Sequence, residues 1–127
     1  MKYYYLRVDL ISGHNEPEVF RCIKCSRNRD DEEKRMRDTG WFRIGDEVYN
    51  LRAYRKFKVT DVRITYGGSF GYFLAYDIRQ ILQSNGITYL YELMAADMDD
   101  IAEFSGIGEK RLTDILKYRG YIYSLHY

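Results

Sequence analysis

Positive and aromatic side chains alternate closely between residues 49 and 63. Aromatic faces stack on nucleobases and cations neutralise phosphates, so this mixture is typical of a surface that binds single-stranded nucleic acid. The structural alternative is that a chain with 14 tyrosines places some rings in its core and some lysines in water. The stretch contains Tyr49, Arg52, Tyr54, Arg55, Lys56, Phe57, Lys58 and Arg63, of which Arg52, Tyr54, Arg55, Lys56 and Lys58 are our candidate nucleic-acid-binding residues.

A second candidate site is a glycine turn near the C-terminus. Gly106 and Gly108 flank Ile107 and are followed by Lys110 and Arg111. Glycines permit backbone conformations that side chains would block, so the amides of this turn can point at one phosphate. The positive end of the following helix adds attraction, and the two cations can flank the same phosphate. Contacts of this kind are independent of base sequence.

Cysteine and histidine offer little catalytic chemistry. Cys22 and Cys25 lie three apart on a predicted strand and therefore point to opposite faces. With only His14 and His126 as further nitrogen ligands, we predict a reduced structural pair and no metal or cofactor. A metal shared between two copies of the chain stays open as the exception, and we predict that the protein is not an enzyme.

Two further motifs have structural interpretations. Asp97, Asp99 and Asp100 resemble a metal-binding acid cluster, but a capped helix start requires the same residue types. The segment 67–71 is rich in glycine but lacks the Lys-Ser/Thr pair of a phosphate loop. We therefore predict that it forms a hairpin or a hinge between domains.

Length and composition limit the class of protein. A chain of 127 residues, 46% hydrophobic, with one proline, forms one ordinary folded domain or two very small ones. The absence of a long apolar run and of an apolar N-terminal stretch predicts a cytoplasmic protein. The net charge of +1 favours no partner, but residues 1–86 carry +4 and residues 87–127 carry −3. This contrast in charge indicates that the chain consists of two structurally different parts.

The N-terminal part has strand patterns. Aromatic and branched residues followed by turn residues predict short strands, which together form a small antiparallel sheet or barrel. The pattern does not determine the order of the strands. The charged segment 27–38 has acids before bases, which predicts a short exposed helix or a mobile loop. The predicted strands cover residues 3–11, 18–25, 41–44, 47–54 and 57–66.

The C-terminal part has helical spacing. Leu74, Ile78 and Leu82 mark one helix, which ends near Gly86. Thr88 is the predicted cap of a second short helix, and Asp97 opens a third that runs from Met98 to Phe104. The last helix spans residues 109–119. Its predicted buried residues are Leu112, Ile115 and Leu116.

This order of helices, with Asn-Gly-Ile at 85–87 and Phe-Ser-Gly-Ile-Gly-Glu-Lys-Arg-Leu at 104–112, resembles a helix-hairpin-helix domain. Within that class, residues 78–120 are most similar to the C-terminal domain of the bacterial RNA polymerase alpha subunit. They also resemble small N-terminal domains of DNA recombinases. The resemblance implies sequence-independent binding of DNA phosphate at the hairpin. Asp77 stands where the polymerase family carries its leading DNA-contacting arginine.

We therefore predict an α+β protein with a small antiparallel β domain at residues 1–69 and an all-α helix-hairpin-helix domain at residues 70–127. The expected function is non-enzymatic binding of single- or double-stranded DNA, as an accessory protein in transcription, repair or recombination. The alternative is an adaptor whose acidic helical domain docks onto a polymerase or recombination complex.

Overall fold

The chain divides into two compact units between Asp61 and Val62. The structure is a computed structural model that describes residues 2–13, 16–64, 70 and 73–125. Strands and one helix form the first unit, and helices form the second. The α+β fold predicted from the sequence is confirmed.

A three-stranded antiparallel sheet is the centre of the first unit. Strand β1 (Tyr4–Ile11) lies in the middle and pairs with β2 (Val19–Cys25) on one side and with β5 (Lys56–Asp61) on the other. Leu6, Val8 and Leu10 alternate along β1 and are fully buried. Alternation of this kind gives the sheet one apolar face, on which the core is built.

Helix α1 (Arg29–Thr39) contributes to the same core. Asn28 caps its start by accepting a hydrogen bond of 2.8 Å from the Asp31 amide. Glu32 and Met36 are one turn apart and fully buried, so the prediction that this charged segment is exposed is wrong for that face. The Glu32 carboxylate accepts hydrogen bonds from the Arg27 and Arg35 guanidinium groups, which allows its burial.

Strands β3 (Trp41–Ile44) and β4 (Glu47–Asn50) form a separate antiparallel ladder. Phe42 is buried and stacks on the Tyr49 ring with a centroid distance of 5.9 Å. A short 3-10 turn, Leu51–Ala53, follows β4. The predicted strands 47–54 and 57–66 were therefore too long, because the chain turns after Asn50 and β5 ends at Asp61.

The second unit consists of α2 (Tyr76–Ser84), α3 (Leu90–Ala95), α4 (Met98–Ala102) and α5 (Gly108–Ser124). Residues 62–64 belong to it, since the Ile64 amide donates to the Thr88 carbonyl and the Leu90 amide donates to the Val62 carbonyl. Among the described helices, none combines the length and apolar character needed to cross a membrane. The fully buried side chains include Leu82, Leu90, Leu93, Ile101 and Ile115.

Three details of the helices differ from the sequence prediction. The cap of α3 is the Glu92 carboxylate, which accepts from the amides of Thr88 at 3.2 Å and Tyr89 at 3.0 Å, and not the Thr88 hydroxyl. Helix α4 ends at Ala102, before Phe104. Helix α5 continues to Ser124, and Leu116, which we predicted to be buried, is 51% exposed. The buried stripe of α5 is Ile115, Tyr118 and Ile122.

Candidate functional site

A groove of about 360 Å³ opens in the first unit between the C-terminal end of α1 and the segment that leads into β5. Arg37 comes from the helix, Arg52 from the 3-10 turn, and Arg55 and Lys56 from the chain that follows. The half-buried rings of Tyr54 and Phe57 pack against the core and form part of the wall. The groove therefore combines four cations with an aromatic wall.

A backbone hydrogen bond joins the two sides of this groove. The Leu51 amide donates to the Gly40 carbonyl at 3.0 Å, while the Gly40 amide closes α1 on the Met36 carbonyl at 2.8 Å. The Asn50 side chain accepts from the Arg52 amide at 3.0 Å and starts the 3-10 turn. These contacts fix the backbone positions from which the cations extend, which is a condition for a preorganised binding surface.

The charge of the groove is positive. Asp38 adds a carboxylate to the lining, but Lys34 lies 3.2 Å from it. Arg37 contacts Glu33 at 2.8 Å on the exposed surface of α1. Exposed pairs of this kind contribute roughly 0–1 kcal/mol and exchange readily for other partners. Within the described part of the chain, Arg52 is exposed and makes no ion pair.

The structure brings together four of the five residues that the sequence selected in this region, namely Arg52, Tyr54, Arg55 and Lys56. Lys58 is exposed on β5, two positions after Lys56, and lies outside the groove lining.

Two other members of the alternating stretch lie elsewhere. Arg63 belongs to the second unit, where its guanidinium lies 5.7 Å from the centroid of the Tyr89 ring. Tyr49 lies on β4, and its hydroxyl donates to the Glu47 carboxylate. The stretch is therefore not one continuous binding face.

Sequence reasoning missed two residues of this region. Arg37 lies in a charged run that we interpreted by its helix dipole, and its distance in sequence from Arg52 concealed their shared groove. Trp41 is the single tryptophan of the chain and is 49% exposed directly after Gly40. Its alternation with the buried Phe42 was a signal that the indole faces outward.

The glycine turn of the second unit has the local geometry that the sequence suggested. Gly106 and Gly108 have φ values of 90° and 59°, and Ile107 between them is buried. A Cβ atom on Gly106 would lie 3.3 Å from Cδ1 of Ile81, a tight contact that adds to the backbone strain of a side chain at this positive φ. No described side chain caps the start of α5. The first-turn amides of this helix therefore lack side-chain partners.

The two cations after the turn differ in their contacts. Lys110 is exposed. The Arg111 guanidinium donates from Nε to one oxygen of Asp77 at 2.9 Å and from Nη1 to the Gly106 carbonyl at 2.6 Å, and its Nη2 forms an ion pair with the same Asp77 oxygen at 2.8 Å. The hydrogen bond from Arg111 lowers the pKa of the Asp77 carboxyl, which keeps it ionised. Arg111 thus neutralises a carboxylate of its own chain.

A second cavity, of about 440 Å³, lies beside the start of α5. Its charged lining consists of Asp77, Glu109 and Asp114 together with Lys110 and Arg111. Three carboxylates against two cations attract an anion less than the four cations and one carboxylate of the groove in the first unit. The groove is therefore the stronger candidate for an anionic ligand.

The two cysteines are free thiols on opposite faces of β2. Cys25 packs against the core, and its Sγ donates to the Arg27 carbonyl at 3.2 Å. Burial raises the pKa of the Cys25 thiol, so it stays protonated and weakly nucleophilic at neutral pH.

The other candidate motifs contain no assembled site in the described ranges. The Asp97 carboxylate caps α4 by accepting from the Asp99 amide at 2.9 Å, in agreement with the structural interpretation of that acidic cluster. Across residues 2–13, 16–64, 70 and 73–125, no three His, Cys, Asp or Glu side chains are grouped to hold a metal. His14, His126 and most of the glycine-rich segment 67–71 lie outside the described residues.

Comparison of the chain with protein-family models, curated proteins and solved structures found no match in any of the three. A functional proposal for this chain therefore depends on the chemistry of its own surfaces.

Proposed function

We propose that this chain is a non-enzymatic nucleic-acid-binding protein that contacts the phosphate backbone without reading base sequence. The observation that carries the proposal is the groove of the first unit, where Arg37, Arg52, Arg55 and Lys56 surround a space with aromatic walls. Regularly spaced negative charges are the ligand that such a row of cations fits. A polynucleotide supplies those charges together with flat bases.

The salt dependence of binding follows from the number of cations. Each phosphate of a single strand that a protein cation neutralises contributes about −0.7 to the slope of log K against log salt. Contacts to most of the four groove cations predict a slope of roughly −2 to −3. Affinity then falls roughly 20- to 60-fold between about 50 and about 200 mM salt.

The glycine turn of the second unit is a second, weaker phosphate contact in this proposal. Its support is the uncapped start of α5 and the exposed Lys110 beside it. The carboxylates of Asp77, Glu109 and Asp114 reduce the attraction, so we assign the larger part of the affinity to the groove.

The experiment is a titration of the full chain into labelled DNA of mixed sequence, single-stranded and double-stranded, followed by fluorescence anisotropy at both salt concentrations. Micromolar binding with the predicted salt slope supports the proposal. Equal affinity for unrelated sequences supports backbone recognition. Absence of binding to either form at the lower salt concentration overturns the proposal.

The contribution of the glycine turn is tested by Lys110→Glu. This variant is expected to weaken binding by a similar factor on all sequences and to reduce the salt slope by about 1. Lys117→Glu is the matched control, because it makes the same charge change at an exposed position two turns further along α5 and outside the cavity lining. Equal affinities of the two variants exclude Lys110 from the interface.

A second candidate function is docking onto a basic partner protein through the second unit. Leu116 and Tyr123 are 51% and 60% exposed on one side of α5, with open space above Gly120 between them. The exposed acids of α4, Asp99 and Asp100, add negative charge to the same unit. Exposed apolar side chains on one side of a helix are typical of an interaction surface, and the acids favour a basic partner. This function becomes the first candidate if the DNA titration is negative.

A further inference from the structure

An exposed indole follows directly in sequence after the lining of the groove in the first unit. Gly40, a groove residue, directly precedes Trp41, and Leu51, another groove residue, directly follows Asn50. Trp41 and Asn50 are paired in the β3–β4 ladder. The residue pair Trp41–Asn50 is therefore the pair of the β3–β4 ladder that adjoins the groove residues in sequence.

Trp41 has no role in the core that explains its type. Its side chain is 49% exposed, whereas the next residue, Phe42, is buried and stacks on Tyr49. The backbone of Trp41 is held in place by its pairing with Asn50 and by a hydrogen bond of 3.3 Å from its amide to the Thr39 hydroxyl, which itself donates to the Arg35 carbonyl at 2.8 Å. An indole on a fixed backbone position loses little conformational freedom on binding a ligand.

The rings inside the groove are less available than this indole. Tyr54 and Phe57 are half-buried and pack against the core cluster, so their faces are partly occupied. Arg43 is exposed two residues after Trp41 and therefore lies on the same face of β3. The exposed face of β3 therefore presents a stacking surface and a cation, Trp41 and Arg43, in the strand that begins directly after the groove residue Gly40.

We propose that Trp41 and the groove form one track for single-stranded nucleic acid, in which the groove cations contact successive phosphates and a base stacks on the indole. This inference rests on the proposed function and deepens it by naming the strand form. The bases of a duplex stack on one another and do not present a face to a tryptophan, whereas a single strand does. A duplex meets only the cations.

Trp41 is the single tryptophan of the chain, so fluorescence excited at wavelengths that the 14 tyrosines do not absorb reports on this position alone. The full chain is titrated with single-stranded DNA and RNA of about 12 nucleotides and with a duplex of equal length, while labelled oligonucleotides report total binding by anisotropy. The track predicts fluorescence quenching by single strands at the same concentrations at which anisotropy rises. The duplex is expected to bind more weakly with little quenching.

Trp41→Ala is expected to weaken single-strand binding roughly 5- to 150-fold, as for loss of one base–aromatic stack. Trp41→Phe keeps a stacking face and is expected to retain most of the affinity. Phe20→Ala is the matched control, because Phe20 is 53% exposed in the same unit but lies on β2 of the three-stranded sheet and is not adjacent in sequence to any groove residue. Circular dichroism of each variant checks that the fold is kept.

The outcomes separate the two proposals. If anisotropy shows no binding of any oligonucleotide, the proposed function and the track fail together. If binding is salt-dependent but Trp41→Ala equals the unmodified protein, or if a duplex binds as tightly as a single strand without quenching, the track is overturned and the proposed function stands.

Discussion

Asp77 and Arg111 are joined across the second unit by a hydrogen bond of 2.9 Å from Nε of the arginine to one carboxylate oxygen, and Nη2 lies 2.8 Å from the same oxygen as an ion pair. Asp77 lies at the start of α2 and Arg111 in the first turn of α5. The remaining arm of Arg111 donates to the Gly106 carbonyl at 2.6 Å. One side chain thus connects two helices and the glycine turn.

This pair bears on the proposed phosphate contact at the turn. The Asp77 carboxylate occupies contacts on Arg111 that a phosphate oxygen would use, so in that proposal Asp77 would compete with the ligand. Because Arg111 lowers the pKa of the Asp77 carboxyl, the carboxylate stays ionised at neutral pH. Arg111 therefore also has a structural role, because it joins α2 to the glycine turn and α5.

Removal of that competition gives the first prediction. Asp77→Asn keeps the shape of the side chain but removes its charge, so Arg111 becomes available, and we expect the affinity for nucleic acid to increase about 2- to 10-fold. The affinity of this variant is measured by fluorescence anisotropy at low salt. Asp114→Asn is the control, since Asp114 lines the same cavity but makes no hydrogen bond to Arg111 among the described contacts. Equal effects of the two variants mean that only net charge matters.

Alanine substitutions at two glycines of the second unit are expected to change its stability in opposite directions. Gly106→Ala is expected to destabilise by about 1–2 kcal/mol, because φ is 90° there and the new Cβ would meet Ile81 at 3.3 Å. Gly120→Ala is expected to stabilise by about 0.5–1 kcal/mol, because Gly120 lies inside α5 with open space around it. Urea unfolding followed by helical circular dichroism compares them. A loss of stability in both variants contradicts this assignment.

The buried Glu32 gives a prediction about the first unit and pH. Burial by itself would raise the pKa of the Glu32 carboxyl, but hydrogen bonds from Arg35 and Arg27 outweigh it and lower the pKa overall. A lowered pKa stabilises the fold above the unfolded-state value of about 4.3 and loses that contribution as pH falls through the folded-state value. Glu32→Gln is expected to cost roughly 2 kcal/mol at neutral pH.

Unfolding of the first unit can be followed by the fluorescence of Trp41. Glu33→Gln is the control, because the adjacent Glu33 makes exposed pairs with Arg37 and Arg29 that contribute little. The difference between Glu32→Gln and the unmodified protein is expected to shrink as the pH falls below about 4. A difference that is constant with pH shows that the charge of Glu32 is not what stabilises the unit.

Local patterns in the sequence predicted most elements but not their partners. Aromatic and branched residues bounded by turn residues predicted β1 and β2, and apolar spacing predicted α2 and the beginning of α5, because these signals lie within a few residues. The pairing of β1 with β5 joins Ile11 to Lys56, a contact that no local pattern contains. The burial of Glu32 was also hidden, since a charged run ordinarily indicates a solvated face.

In the candidate sites too, features set by neighbouring residues were predictable, and contacts between distant residues were not. The turn at Gly106 and Gly108 was predictable, because glycine at both positions is a local requirement. The groove was predictable only from its Arg52–Lys56 side, since Arg37 comes from a different element. The Asp77–Arg111 pair was not predictable, because its residues are 34 positions apart in sequence.

The groove of the first unit is the central claim, and Arg52→Glu tests it most directly. Arg52 is exposed in the 3-10 turn and makes no ion pair within the described residues, so the variant leaves the fold intact. The measurement is single-strand DNA binding by anisotropy at several salt concentrations, with Lys117→Glu as the charge-matched control. We expect Arg52→Glu to weaken binding about tenfold and to flatten the salt slope by about 0.7, while Lys117→Glu changes little. Equal affinities of the two variants contradict binding in the groove.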